Sequence, residues 1–159
     1  SNNTDGHSAA IFYIVSYLMM NFSAFLVVSR IAVKNDNPQI HDFSGLADKS
    51  PLLALILMIS LLSLAGIPPL VGFTGKWFLF NAAMAEGHWL LVLIGVINSV
   101  VSLYYYLMIV KEAYLGKPDP NTVTLDLHTR LIGYSSMVFV VFFGIFPTPL
   151  MEWISKLLI

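Results

Sequence analysis

The sequence predicts an all-α, polytopic transmembrane helix bundle with four crossings, one of them a discontinuous helix. Three observations predict it. Hydrophobic residues fill 57% of the 159 positions and charged residues only 11%, less than half the roughly one-quarter charged share of soluble domains. The mean hydropathy is +0.78. The apolar residues gather into four long stretches, and about 20 consecutive apolar residues cross a bilayer.

Taken in order, the first stretch, residues 9–29, holds no charge, and the second, residues 51–85, holds only Lys76. The third covers residues 89–110. The fourth covers residues 131–150 and reaches crossing length only by continuing from Phe146 through Pro147 to Leu150. Polar loops at 30–50 and 111–130 and a tight Glu86–Gly87–His88 connection separate them. The tail from Leu150 sets Glu152, Trp153 and Lys156 among aliphatics and reads as an interfacial segment. Residues 1–8 are polar and lack the basic-then-apolar pattern of a signal peptide. A membrane chain that opens in a polar loop reads as part of a longer one, with helices missing upstream.

The second stretch is too long for one straight crossing. Its residues would make a helix of roughly 50 Å at about 1.5 Å per residue, against a hydrocarbon core of about 30 Å. It is either one interrupted span or a hairpin of two short spans turning at Gly66–Ile67–Pro68–Pro69. With one interrupted span, Arg30, Lys34, Lys49, Lys111, Lys117 and Arg130 share a side and only Lys156 lies opposite; with a hairpin the tally is four against three. Positive residues concentrate in cytoplasmic loops, so the interrupted span is favoured. Loops 30–50 and 111–130 then face the cytoplasm, and both ends of the chain face the opposite side.

Pro68 and Pro69 carry no backbone N–H, and each pushes the residue before it out of helical geometry. Gly66 adds backbone freedom. A break at membrane depth is tolerated only inside protein or beside water; a packing kink is the plainer reading of a lone proline, and two prolines with a glycine and surplus length weigh against it. Lys76 follows Pro69 by seven residues, and residues 51–85 contain no acid to pair with it. An ammonium at that depth costs about 2.5–3.5 kcal/mol on insertion scales. Desolvation favours the neutral amine, so such a lysine can take up and release a proton. The competing readings are a lysine that snorkels to the interface or one fixed in an ion pair with another helix.

Polar side chains on other stretches offer a path for protons. Tyr13, Ser16, Tyr17 and Asn21 lie near one face of the first stretch, and Asn98, Ser102 and Tyr105 stand at i, i+4 and i+7 on the third. Interhelical hydrogen bonding explains such stripes equally well. Other chemistries find no support. Gly72–Phe73–Thr74–Gly75–Lys76 fails as a phosphate loop, because Leu70 stands where the first glycine belongs and Trp77 replaces the Ser/Thr. With no cysteine, and His7, His41, His88 and His128 in separate loops, no metal, haem or iron–sulfur site is predicted. Nor do the few basic residues form a nucleic-acid patch.

Leu64–Ala65–Gly66–Ile67–Pro68–Pro69 followed by Gly72–Phe73–Thr74–Gly75–Lys76–Trp77 resembles the broken-helix motif of the antiporter-like membrane subunits of respiratory complex I. The wider family includes Mrp-type cation/proton antiporter subunits and membrane-bound hydrogenases. Ser102–Leu103–Tyr104–Tyr105–Tyr106–Leu107 is similar to the subunit N type of bacterial type-I NADH:quinone oxidoreductase, and His41–Asp42–Phe43–Ser44–Gly45–Leu46 resembles the family's loop before the broken helix. The resemblance implies two inverted repeats, each with a discontinuous helix. Residues 1–159 would then form a single transmembrane domain, the C-terminal third of such a subunit. By motif, Lys76 falls on the protonatable position and Gly66, Pro68 and Pro69 on the break; Asn98, Ser102, Tyr105, Tyr17 and Asn21 are weaker candidates for the path. The implied setting is a bacterial inner membrane, with other membrane subunits, lipid and protons as partners and no nucleic acid. The chain would be part of a proton-pumping translocase without a redox site of its own: NAD, FMN, iron–sulfur clusters and quinone are implied in partner subunits. Two rivals stand beside this reading: an Mrp-type subunit, and a structural spacer with Lys76 in a static pair.

Overall fold

The computed structural model describes residues 2–32, 39–117 and 126–158; Lys34, counted in the charge tally, lies outside them. Among the described residues the chain is helical throughout: α1 (Asn2–Ala32), a 3-10 turn (Ile40–Phe43), α2 (Leu46–Lys49), α3 (Pro51–Ala65), α4 (Val71–Ala85), α5 (Trp89–Leu115), α6 (Leu127–Ile145) and α7 (Thr148–Leu157). By length and composition α1, α5 and α6 can each cross a membrane.

Helix ends and apolar ends do not coincide. α1 starts at Asn2, ahead of the apolar stretch at residue 9, and α5 runs on to Leu115, past residue 110. Hydropathy marks the part of a helix suited to hydrocarbon, whereas backbone bonding carries the helix beyond it. The fourth stretch differs more: α6 begins at Leu127 and stops at Ile145, and α7 starts at Thr148 instead of α6 running on to Leu150. Pro147 caps α7 and Pro149 sits in its first turn, where a missing N–H leaves no intrahelical bond unmade. Leu150 and Ile154, four residues apart, bury α7's inner edge, and Trp153 is exposed. Ser155 meets Ser8 of α1 hydroxyl to hydroxyl at 3.3 Å.

α1 sets the register of the bundle. The Phe12 ring packs edge-on against Phe78 of α4 at 5.4 Å, and Tyr13 lies against Gly75 of α4. Farther along α1, Met20 Sδ accepts a hydrogen bond from Ser63 of α3 at 2.8 Å. As residue numbers rise along α1, its partners pass from α4 back into α3. α6 reports the same order in the other direction: its Gly133 packs on Ile56 of α3, and Gly144 packs on Pro69, Leu70 and Val71. α1 and α6 therefore each run past both α3 and α4.

The loops also sort by end. Arg30 pairs with Asp126 at 3.1 Å, the Gly45 N–H donates to Glu112 O at 3.2 Å, and Ser44 Oγ donates to Lys117 O at 2.9 Å. Described parts of the 30–50 and 111–130 segments therefore share one end of the bundle, while Ser8 and Ser155 meet at the other. Between the ends the helices touch through small residues. Ser16, Ser23, Ser60 and Ser136 are buried, and each hydroxyl is satisfied by a carbonyl one turn back on its own helix at 2.7–2.9 Å. Such side chains allow close packing without an unpaired polar group.

Candidate functional site at the interrupted helix

Residues 66–70 separate α3 from α4. Gly66 ends α3 with φ 89°, a left-handed conformation that glycine adopts without a Cβ penalty. Its N–H bonds back to Leu62 O and Ser63 O at 3.2 and 2.9 Å, and the Ile67 N–H bonds to Leu62 O at 3.1 Å. In an uninterrupted α-helix, the carbonyls of Leu64 and Ala65 would accept from residues 68 and 69. Both are proline and have no N–H to give. These two carbonyls receive the Lys76 amine: Nζ lies 3.0 Å from Leu64 O and 3.3 Å from Ala65 O. The third contact is Ser99 Oγ on α5 at 2.9 Å, and Ser99 in turn donates to Gly95 O at 3.0 Å. Among the described residues no carboxylate lies within salt-bridge distance of Lys76.

The far side of the break is held by a serine. Ser63 Oγ accepts from the Gly72 N–H at 3.0 Å, satisfying a first-turn donor of α4 that has no intrahelical partner. Residue 72 must be small, because a Cβ there would overlap the Ser63 carbonyl and crowd Met20 Sδ. Thr74 Oγ1 donates to Gly144 O at 2.9 Å and ties α4 to α6. The groups that close the break thus come from α3 and α4 themselves, from the Met20 and Ser99 side chains of α1 and α5, and from the backbone of α6.

Lys76 stands between two cavities. One, of about 300 Å³, is lined by Tyr13 and Tyr17 of α1 and by Asn98, Ser99, Ser102 and Tyr106 of α5. The other, of about 370 Å³, is apolar and includes Ile67, Phe73, Trp77, Val96 and Val100. Of the residues singled out in the sequence, Tyr17, Asn98 and Ser102 line the first cavity with Lys76. Asn21 does not; its amide donates to Tyr17 O at 2.8 Å. Tyr105 points away, 59% exposed, and Tyr106 takes the inward position. Ser16 is buried against its own helix. Tyr13, on the same predicted face of the first stretch, lines the first cavity too; sequence reasoning missed Ser99 and the part played by the Leu64 and Ala65 carbonyls. On α5, Gly95, Ser99, Ser102 and Tyr106 recur at i, i+4, i+7 and i+11, a stripe that shares Ser102 with the predicted one and that the sequence does not rank above it. Among the described residues no three of His, Asp and Glu gather as metal ligands.

Comparison with known proteins bears on the fold and the family. The model of the family described as NADH:quinone oxidoreductase/Mrp antiporter, TM, matches residues 1–102. The chain is 47% identical over 154 residues to NADH-quinone oxidoreductase subunit N 2 of Syntrophobacter fumaroxidans, covering 96% of this chain and 33% of that one. It is 41% identical to subunit N of Desulfitobacterium hafniense, covering 93% of this chain and 30% of the relative. The chain thus spans about a third of the length of these curated relatives. Among solved structures, a chain of respiratory complex I from Thermus thermophilus superposes with a TM-score of 0.82 at 29% identity, covering 91% of this chain and 34% of that one. A chain of the Mrp complex from Dietzia sp. DQ12-45-1b shares the fold, with a TM-score of 0.83 at 23% identity over 93% of this chain and 36% of that one. An all-helical bundle and these relatives converge: the chain belongs to the NADH:quinone oxidoreductase/Mrp antiporter family of transmembrane proteins.

Proposed function

We propose that this chain is the C-terminal part of a proton-translocating membrane subunit of an NADH:quinone oxidoreductase, with Lys76 as its proton carrier. One observation supports the role above all. The amine is held by the two carbonyls that Pro68 and Pro69 leave without partners, and no described carboxylate fixes it in an ion pair. An ammonium held by carbonyls and a hydroxyl is solvated without a neutralising counter-charge, so it can release its proton and take it up again. The cavity lined by Tyr13, Tyr17, Asn98, Ser102 and Tyr106 supplies hydroxyl and amide groups beside which water can pass that proton. In this reading α3 and α4 form one interrupted crossing, giving four crossings in all. The 30–50 and 111–130 segments face the cytoplasm of a bacterial cell, both chain ends face the other side, and electron transfer belongs to partner subunits.

The subunit N relatives favour this assignment over a sodium/proton exchanger of the Mrp type, whose compared structure shares the fold alone. A spacer role would call for a static partner for Lys76. The deciding experiment is Lys76→Ala in the whole complex, reading NADH oxidation, complex assembly and proton translocation in membrane vesicles together. We expect assembly to be retained and translocation to fall at least several-fold. Normal translocation by a normally assembled complex refutes the role.

A further inference from the structure

Among the described residues Ser99 is the one side chain holding the Lys76 amine, and it is also the one partner that can do more than accept. A lysine ammonium has three donors and no acceptor. Its three partners here, Leu64 O, Ala65 O and Ser99 Oγ, fill all three donor positions. A neutral amine is a different object, with two N–H groups and one lone pair. Neither backbone carbonyl can donate to that lone pair. Ser99 can, because a hydroxyl both donates and accepts and its hydrogen turns freely.

We propose that Ser99 is a positioning residue that serves both protonation states of Lys76, accepting from the ammonium and donating to the neutral amine. The inference rests on Lys76 being the proton carrier. In the charged state the Ser99 hydroxyl takes an Nζ–H and gives its own hydrogen to Gly95 O, 3.0 Å away. When the proton leaves, the hydroxyl turns from Gly95 O to Nζ, and the two remaining N–H groups stay on Leu64 O and Ala65 O. No heavy atom has to move, so the site is ready for either state. A carboxylate at this position would lock the ammonium in place, and an alanine would leave the neutral amine's lone pair and one ammonium donor unmatched. The titratable groups lining the cavity around Lys76 are Tyr13 and Tyr17 from α1 and Tyr106 from α5; α3 brings Leu64 and Ala65, neither of them titratable, and neither cavity is lined by Asp, Glu or His.

The test uses the intact complex in membranes. Ser99→Ala, Ser99→Thr and Lys76→Ala are compared for assembly, NADH oxidation and protons translocated per NADH between acid and alkaline pH. Ser99→Ala is expected to lower translocation several-fold and to move the alkaline limb of its pH profile down by about one unit, since both states lose a partner and the bond to the charged ammonium is the stronger of the two. Ser99→Thr keeps the hydroxyl and is expected to keep the wild-type profile. A Ser99→Ala complex with an unmoved profile overturns the proposal, while loss of translocation in Lys76→Ala leaves the lysine's own role standing. Normal translocation by Lys76→Ala removes both. Should Ser99→Ala fail to assemble, Ser99→Cys decides: its thiol fills the space but bonds weakly, so a displaced profile supports the proposal and a wild-type profile overturns it.

Discussion

Pro68–Pro69 and Pro147–Pro149 both stop a helix, and the chain treats the two stops differently. The first lies where α1, α5 and α6 all pack, and the carbonyls it frees are taken by a lysine from the next helix. The second lies close to the first, since Gly144 of α6 packs on Pro69, Leu70 and Val71, and Phe146 beside it is 57% exposed. There α6 closes with the Phe146 N–H on Phe142 O at 2.7 Å, and α7 begins at once. The residue types are nearly the same, so the difference comes from the surroundings. Away from water a freed carbonyl needs a donor from within the protein. At the second break Pro147 and Pro149 fall at the start of α7, where a missing N–H leaves no bond unmade, and the chain resumes as a helix at once.

The contrast can be tested at several points, beginning with the tightest contact. Gly72→Ala would drive a Cβ into the Ser63 carbonyl at the first break, and backbone cannot yield as a side chain can. Overpacking of this kind costs about 1–3 kcal/mol or more. The expected result is a marked fall in the amount of assembled complex and in its melting temperature. An alanine accepted at full stability would mean that α3 and α4 do not approach so closely.

The prolines themselves come next. Replacing Pro68 and Pro69 together with alanine restores two N–H groups, lets α3 continue and draws Leu64 O and Ala65 O away from Lys76. Translocation should drop several-fold in a complex that still assembles, whereas Pro147→Ala should leave it within about twofold of the wild type by the rule that changes away from such features stay near ±0.5 kcal/mol. Equal losses from the two changes would erase the distinction drawn between the breaks.

The smallest effect belongs to the loop end, far from either break. The Thr129 hydroxyl, with the Arg30 guanidinium also contributing, holds the Asp126 carboxyl below its ordinary value. A carboxyl lowered in the folded state adds stability above its unfolded pKa and loses that contribution as pH falls through the folded one. Asp126→Asn should therefore lower the melting temperature slightly and by a constant amount at neutral pH. The gap between variant and wild type should close in acid, below the usual carboxylate range. A gap that widens in acid would give the stabilisation another source.

Much of the site was legible because its signals are local. Surplus length, Gly66, two prolines and one embedded lysine lie within a short run, and each follows from backbone chemistry or solvation alone. Phase on α5 was not legible. Most of that helix is apolar all round, so a polar stripe cannot say which edge faces inward, and Tyr105 was chosen where Tyr106 turns in. Ser99 is 23 residues from Lys76 and became visible only once α5 was laid against α4. The end of α6 was misplaced because hydropathy continues through Phe146 and Pro147 although the helix does not.

α1 remains to be weighed. It is one unbroken rod of 31 residues, and it lies beside both α3 and α4, so it splints the gap between them. Backbone bonding is interrupted at residues 66–70, yet stiffness is carried past that point by a neighbour. The two half-helices cannot flex freely about their joint while Phe12 and Met20 grip one on each side. With Phe78 and Ser63 both held by α1, the gap at residues 66–70 is bridged from outside as firmly as an unbroken backbone would bridge it.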